Sequence, residues 1–338
     1  MVDDTYEWNK TPPLALRPFK KKYNMTMGIS TILPQDWFNI EWDHKKITDL
    51  KKRVVSKHEP YVLFNDEACD LAIHEYYEMV VKILLIKYPK YYKQIKKESG
   101  HLRWVHDTIR DEYLPDITTA SQYTSRDLLR YLLVIVEEDF LLLLKDDPMD
   151  PEYKLKGGSW CLPSGFDPVD KFNNDILTIH LPVPYYQEKL KTSMNKYLSR
   201  VDPHKFVTRS NWTVQAHPQM FALATTKDYD HENHLKTEEL DFNDVVLRVE
   251  RQVVTKLPRL KAIVFTIKTY LTPLTQLKLE GNSSICEAIA GIDDRVGEYK
   301  RTDAWAPAVL EYMNNSSKPE NIRFPDYDSE QPLADGNS

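Results

Sequence analysis

Two β-branched runs near the end of the chain constrain its fold more than any other feature. Val245 to Val254 and Ala262 to Leu271 both alternate roughly between polar and apolar residues, the pattern of strands with one covered face. The connection through Lys256-Leu257-Pro258-Arg259 is short enough for an antiparallel pair. Within the first run Arg248, Glu250 and Gln252 share one face, and Arg251 points to the other, between Val249 and Val253. A strand that otherwise reads as buried carries ionisable groups only if they are paired or functional. The paired reading joins Glu250 to Arg248 or to Lys268. The functional reading is a cluster that holds a polar ligand, because arginine grips a carboxylate in a bidentate fork.

The remaining elements follow from periodicity and punctuation. Asp66 to Tyr88 reads as a helix capped by Asp66 or Asn65 and ended by Pro89. Tyr91 to Lys97 reads as a second, more polar helix. Thr124-Ser125-Arg126-Asp127 is a capping-box start, and the helix it opens is expected to run to about Lys145. Its acidic triplet Glu137-Glu138-Asp139 reads as a solvated face. Tyr23 to Ile29, Ile176 to Val183 and Arg209 to Val214 read as strands, and Tyr186 to Ser199 as an amphipathic helix. His217 to Phe242 reads as a polar loop, and helical patterning returns from Thr275 to Asn314. The chain therefore divides into an irregular arm (1–60), a helical region (61–150), a β unit (151–275), C-terminal helices (276–315) and a disordered tail (316–338). The fold class is α+β, a mostly antiparallel sheet with helical N- and C-terminal extensions.

Composition removes several classes of function. Nine glycines in 338 residues is well below the usual ~7%. Dinucleotide folds and phosphate loops need glycine for tight turns, and neither G-x-G-x-x-G nor a P-loop motif occurs. A net charge of −6 disfavours a general nucleic-acid binder. Three cysteines, Cys69, Cys161 and Cys286, give no disulfide framework and too few thiolates for an iron–sulfur cluster. No apolar run approaches the roughly 18–20 residues of a membrane span, and Met1 to Lys22 lacks a signal-peptide core. The expectation is a cytoplasmic protein with no membrane and no nucleic-acid partner. His231-Glu232-Asn233-His234 is an H-x-x-H without a third ligand of the usual pattern, and His101 and His106 add no zinc spacing. Nothing local depresses the pKa of Cys161.

His180 stands alone in the run Ile179-His180-Leu181-Pro182-Val183-Pro184, with no carboxylate within four residues. One reading is a core histidine bonded to a backbone carbonyl. The other is a ligand to haem iron or another metal.

These pieces together resemble a known family. Arg17-Pro18-Phe19 precedes Tyr23 to Ile29. Trp160 precedes Leu162-Pro163-Ser164 and Pro168. Ile179 to Pro184 follows, then Arg209-Ser210-Asn211-Trp212. Leu247 to Gln252, Leu257-Pro258 and Val264 to Tyr270 close the series. In this order, over most of residues 15 to 312, they resemble the haem-dependent oxidative N-demethylase alpha-subunit family, and the expectation is a fungal member. The resemblance implies a PAS-like β unit over 151–275 that encloses haem b. It implies oxidative removal of a methyl group from a small secondary amine, using O₂ and electrons from a separate reductase or electron-transfer protein. It makes His180 the proximal ligand, with Ile179, Leu181 and Val183 keeping water from the iron. Arg209, Arg248 or Arg251 would meet a haem propionate, Glu250 would hold a protonated amine, and Tyr270 would donate to bound oxygen. A haem-based gas or redox sensor, or a relative that has lost haem, are the alternatives.

Overall fold

The computed structural model describes residues 1–23, 25–96, 103–223, 236–319 and 321–324. Among these residues the strands are β1 (Ser30–Ile32), β2 (Leu63–Asn65), β3 (Tyr92–Lys96), β4 (Arg103–Asp107), β5 (Glu112–Pro115), β6 (Asp139–Leu144), β7 (Lys154–Ser159), β8 (Phe206–Gln215), β9 (Val246–Lys256) and β10 (Ile263–Pro273). The helices are α1 (His44–Val62), α2 (Asp70–Lys87), α3 (Ser125–Ile135), α4 (Ile176–Ile179), α5 (Lys191–Arg200), α6 (Leu274–Leu279), α7 (Ser284–Ala290), α8 (Asp294–Lys300) and α9 (Thr302–Asn314).

Among the described residues the main sheet runs β1-β8-β9-β10-β6-β7-β2, and β3-β4-β5 form a smaller sheet. Every ladder is antiparallel. The expected hairpin is β9–β10, joined in register from Ile263↔Lys256 to Pro273↔Val246.

The two faces of this sheet are covered by different parts of the chain. The first face carries Arg209, Glu250, Val254, Ile263, Phe265 and Leu143, by register and alternation. Its apolar end packs against Ile176, Tyr186, Leu190 and Leu198, the stretch that includes α4 and α5. The second face carries Phe140, Leu142, Val253 and Val264, which join one core with Trp37 and the inner residues of α1, α2 and α3. The C-terminal helices form a separate cluster over Trp212, Val214, Leu247 and Val249. His180 and the arm around Trp37 therefore lie on opposite sides of one sheet.

Several sequence expectations are corrected here. The helix that starts at Thr124 is real, with the Asp127 N–H donating to Thr124 Oγ1 at 3.2 Å. It stops at Ile135, and Asp139–Leu144 is a strand paired on both sides. A strand buried on both faces reads as a continuous apolar run, which periodicity cannot separate from a buried helix. Glu137, Glu138 and Asp139 are no solvated face: they are buried to 2%, 2% and 1% exposure. Tyr92–Lys96 is an edge strand rather than a helix.

Ile176–Ile179 is a helical turn, not a strand. Asp175 caps it, accepting from the Thr178 N–H at 2.7 Å, and the two prolines beyond cannot extend a ladder. The arm 1–60 is not irregular throughout, because α1 begins at His44. Tyr23 to Ile29 forms no strand among its described residues; β1 starts at Ser30. The helix over 66–88 is observed as α2 after a short turn capped by Asp66. His101, His231, His234, residues 224–235 of the polar loop and most of the tail lie outside the described residues.

Candidate functional site

His180 sits at the C-terminal end of α4, half-buried. Its Nδ1 is 2.8 Å from the carbonyl oxygen of Ile176. A carbonyl can only accept, so Nδ1 carries the proton and the neutral ring leaves its lone pair on Nε2. Burial holds the ring's pKa below the usual histidine value. The Ile176 carbonyl works against this, and the nearby Arg209 guanidinium adds to it. The imidazole stacks on Tyr186, with centroids 4.4 Å apart and planes 12° apart. The bond to a backbone carbonyl expected of a core histidine is thus present, and it is also the arrangement that aims a ligand histidine.

A cleft of about 430 Å³ opens beside this ring, within the ~300–1,000 Å³ span of small-molecule sites. Its walls include Leu177, Val183 and Tyr186 from the His180 segment, with Arg295 and Tyr299 from α8. Leu181 is 64% exposed, so of the three apolar neighbours expected to exclude water it does the least.

The sheet supplies the charged groups. Arg209, on β8, is held below the normal arginine range first by burial. Its Nε is buried and bonds to nothing among the described residues. Arg248 is 1% exposed and donates to the carbonyls of Leu162 (2.6 Å) and Met220 (3.1 Å). Arg248 Nε stands 3.6 Å from Glu250 Oε1, and Gln252 Nε2 donates to Glu250 Oε2 at 3.2 Å. The Glu250–Arg248 pair weighed from the sequence is therefore formed.

Lys300, at the end of α8, donates to the Trp212 carbonyl at 2.6 Å and lies 3.4 Å from Asn211 Oδ1. Burial lowers its pKa to about 8, against the attraction of Glu250. No motif around Lys300 marks it in the sequence. The available signal was indirect: its strand partners Asn211 and Trp212 fall in the Arg209–Trp212 motif.

His180, Arg209, Arg248 and Glu250 thus share one side of the sheet. Arg251 and Tyr270 do not join them. Arg251 donates to the Asp36 carbonyl at 2.6 Å on the opposite face. Tyr270 pairs with Val249 there, and its hydroxyl is buried with no hydrogen-bond partner among the described residues.

That second face holds an ionic cluster. Lys268 Nζ is 2.7 Å from Glu41 Oε2 and 2.8 Å from Glu137 Oε2, and it donates to the Asn39 carbonyl at 2.6 Å. His44 Nδ1 is 3.1 Å from Glu137 Oε1. Burial raises the pKa values of Glu41 and Glu137 to about 7 against the pull of Lys268, with Glu137 adding to the rise at Glu41 and Glu138 to that at Glu137. Burial works against the charge of Lys268 too, yet Glu137, Tyr270 and Glu41 hold its pKa well above the usual lysine value. Oxygens of Glu41, Asp43 and Glu137 lie within 4.8 Å of one another. The lysine ammonium already supplies the cation for that group. Cys161 is buried, with its thiol pushed up to about 12 by burial and by Asp139, so it is no ready nucleophile.

No helix among the described residues is long and apolar enough to cross a membrane. The donor set on the first face suits a haem: one imidazole whose Nε2 keeps its lone pair, a cleft of mixed polar and apolar walls, and a guanidinium with a buried Nε and no anion among the described residues. Residues 28–310 match the family described as haem-dependent oxidative N-demethylase, alpha subunit-like, and with that match spanning most of its 338 residues the chain belongs to this family.

Proposed function

We propose that this protein binds haem b through His180 and removes a methyl group oxidatively from a small amine. The carrying observation is the orientation of His180. Its Nδ1–H is committed to the Ile176 carbonyl, and burial keeps the ring uncharged. Both conditions leave Nε2 able to act as a ligand. Arg209 would meet a propionate, which would give its buried Nε a partner. Bound iron would supply the chemistry of O₂ activation. Overall, one oxygen atom would go to the departing methyl carbon as an aldehyde and the other to water, with two electrons from a separate reductase. The absence of a nicotinamide or flavin motif in the sequence supports an external donor.

Glu250 is the residue best suited to hold the amine. Its carboxylate favours the cationic form of a neighbour, and it keeps that group on the His180 side of the sheet. The order of the central strands, β7-β6-β10-β9-β8 with the His180 segment inserted between β7 and β8, supports the PAS-like reading of the β unit.

The test is absorption spectroscopy of purified protein, supplied with haem and then reduced under carbon monoxide. A Soret band that shifts on reduction and carbon monoxide addition is the expected result. No Soret band after haem supplementation overturns the reading.

A further inference from the structure

The geometry points to a second, unassigned element of this site: Arg209 and Lys300 form a two-cation seat for a carboxylate group of the bound molecule. The inference rests on the functional reading above for its location, beside His180, and names Lys300 as part of it.

Four observations carry it. Neither Arg209 nor Lys300 has a carboxylate at ion-pair distance among the described residues, although both are half-buried and burial pulls both pKa values down. A buried cation without a counter-charge is costly, and proteins keep one where an anion arrives. The nearest acid, Glu250, is already engaged by Arg248 at 3.6 Å and by Gln252 at 3.2 Å. The Arg209 guanidinium has a buried Nε–H with no acceptor among the described residues. The Lys300 ammonium has two acceptors, the Trp212 carbonyl and Asn211 Oδ1, and a third N–H to give.

Their positions agree. Arg209 and Asn211 lie two residues apart on one face of β8, roughly 6–7 Å along the strand. Lys300 reaches Asn211 from α8, across the edge of β8 beyond the short ladder with β1, which ends at Thr208. The two cations therefore flank one patch of the sheet, on the side that the His180 segment covers. Glu250 is near enough to act on both cations, and Tyr23 on Arg209. The carboxylate has two possible sources, a porphyrin propionate or the acid group of an N-methylated amino acid, and they are separable.

The experiment titrates the apo-protein with haem and with haem dimethyl ester, whose propionates are uncharged. Wild type, Arg209→Gln, Lys300→Met and Lys300→Arg are compared, each checked for native unfolding behaviour. Equilibrium dialysis with labelled N-methylglycine, against dimethylamine, runs beside it. If propionate is the anion, Arg209→Gln and Lys300→Met each weaken haem about tenfold or more, the scale of one charged hydrogen bond. They leave the ester unaffected, and Lys300→Arg retains most of the affinity. If the substrate carries the anion, haem and ester bind alike in all variants, and the same substitutions weaken N-methylglycine and not dimethylamine. Unchanged binding of haem and of N-methylglycine in both Arg209→Gln and Lys300→Met overturns the inference. A wild type that takes up no haem overturns the functional reading alone, since the N-methylglycine arm still decides for or against the seat.

Discussion

The Nδ1 of His180 lies 2.8 Å from the carbonyl oxygen of Ile176, four residues back along the same helical turn. This bond fixes which nitrogen keeps the proton, and so it fixes which nitrogen keeps a lone pair. The adjacent Tyr186 ring, stacked at 4.4 Å, limits rotation of the imidazole.

Replacing His180 by Ala separates the ligand role from packing. The lost hydrogen bond and ring contact together cost about 1–2 kcal/mol of stability, because the site is only half-buried. The pigment should change far more: the haem-loaded variant loses the imidazole-ligated spectrum and regains it on addition of free imidazole. A His180→Ala protein with the wild-type spectrum would remove this residue from the site.

Glu250→Gln keeps the shape of the side chain and removes its charge. If Glu250 holds the amine as a cation, amine affinity falls about tenfold, the scale of one charge-assisted bond, with carbon monoxide affinity nearly unchanged. Binding titrations of amine and of carbon monoxide on one preparation give both numbers. Equal losses in the two would mean that the substitution has only disturbed Arg248, its ion-pair partner at 3.6 Å.

On the opposite face, Lys268→Met tests the ionic cluster. It strands Glu41 and Glu137, each 2% exposed, without the ammonium they share. Breaking a buried pair from one side costs about 3–5 kcal/mol, read from urea unfolding. The loss should be larger at pH 8 than at pH 5.5, because the raised carboxyl pKa values let the stranded acids take up protons at the lower pH. A cost below about 1 kcal/mol, the scale of an exposed pair, would contradict a dry cluster.

Asp43 gives the cluster a measurable pH signature. Burial, and then Glu137, raise its pKa to about 6 from an ordinary 3.8. The folded state therefore binds more protons than the unfolded one between those values, and this group's contribution to stability falls as pH rises through them. His44 acts in the opposite sense. Burial lowers its pKa to about 4 from 6.5, so the unfolded state binds more protons, and its contribution rises over much of the same window. Asp43→Asn removes only the first effect. Relative to wild type, the variant should gain stability as pH rises from about 4 to about 6 and then level off. Unfolding midpoints of both proteins across that range measure the difference, and a difference independent of pH would refute the assignment.

Much of the fold was legible in particular residues. The hairpin of β9 and β10 followed from alternation alone, and with it the opposed directions of Arg248 and Arg251, because side-chain direction in a strand has a period of two. The helix at Asp70–Lys87 followed from its three- and four-residue apolar spacing and from Pro89. Other segments misled for physical reasons. Asp139–Leu144 carries no alternation because both of its faces are buried. Ile176–Ile179 is apolar and β-branched, yet Asp175 caps it as a helical turn. The acids of 137–139 look like a surface in any one-dimensional reading, because burial there depends on Lys268 and Lys51, contributed by segments far away in the chain.

The sequence by itself determined the antiparallel hairpin, the family membership and the singling out of His180, since each depends on residues that are neighbours or keep a fixed order along the chain. Only the tertiary structure decided that Arg209, Glu250 and Lys300 meet on the His180 side while Arg251 and Tyr270 turn to the other. It also decided that Glu41, His44 and Glu137 close with Lys268 into one dry cluster drawn from three distant segments. Charges can be buried only where partners from elsewhere arrive to compensate them, and that meeting is a property of packing, not of local order.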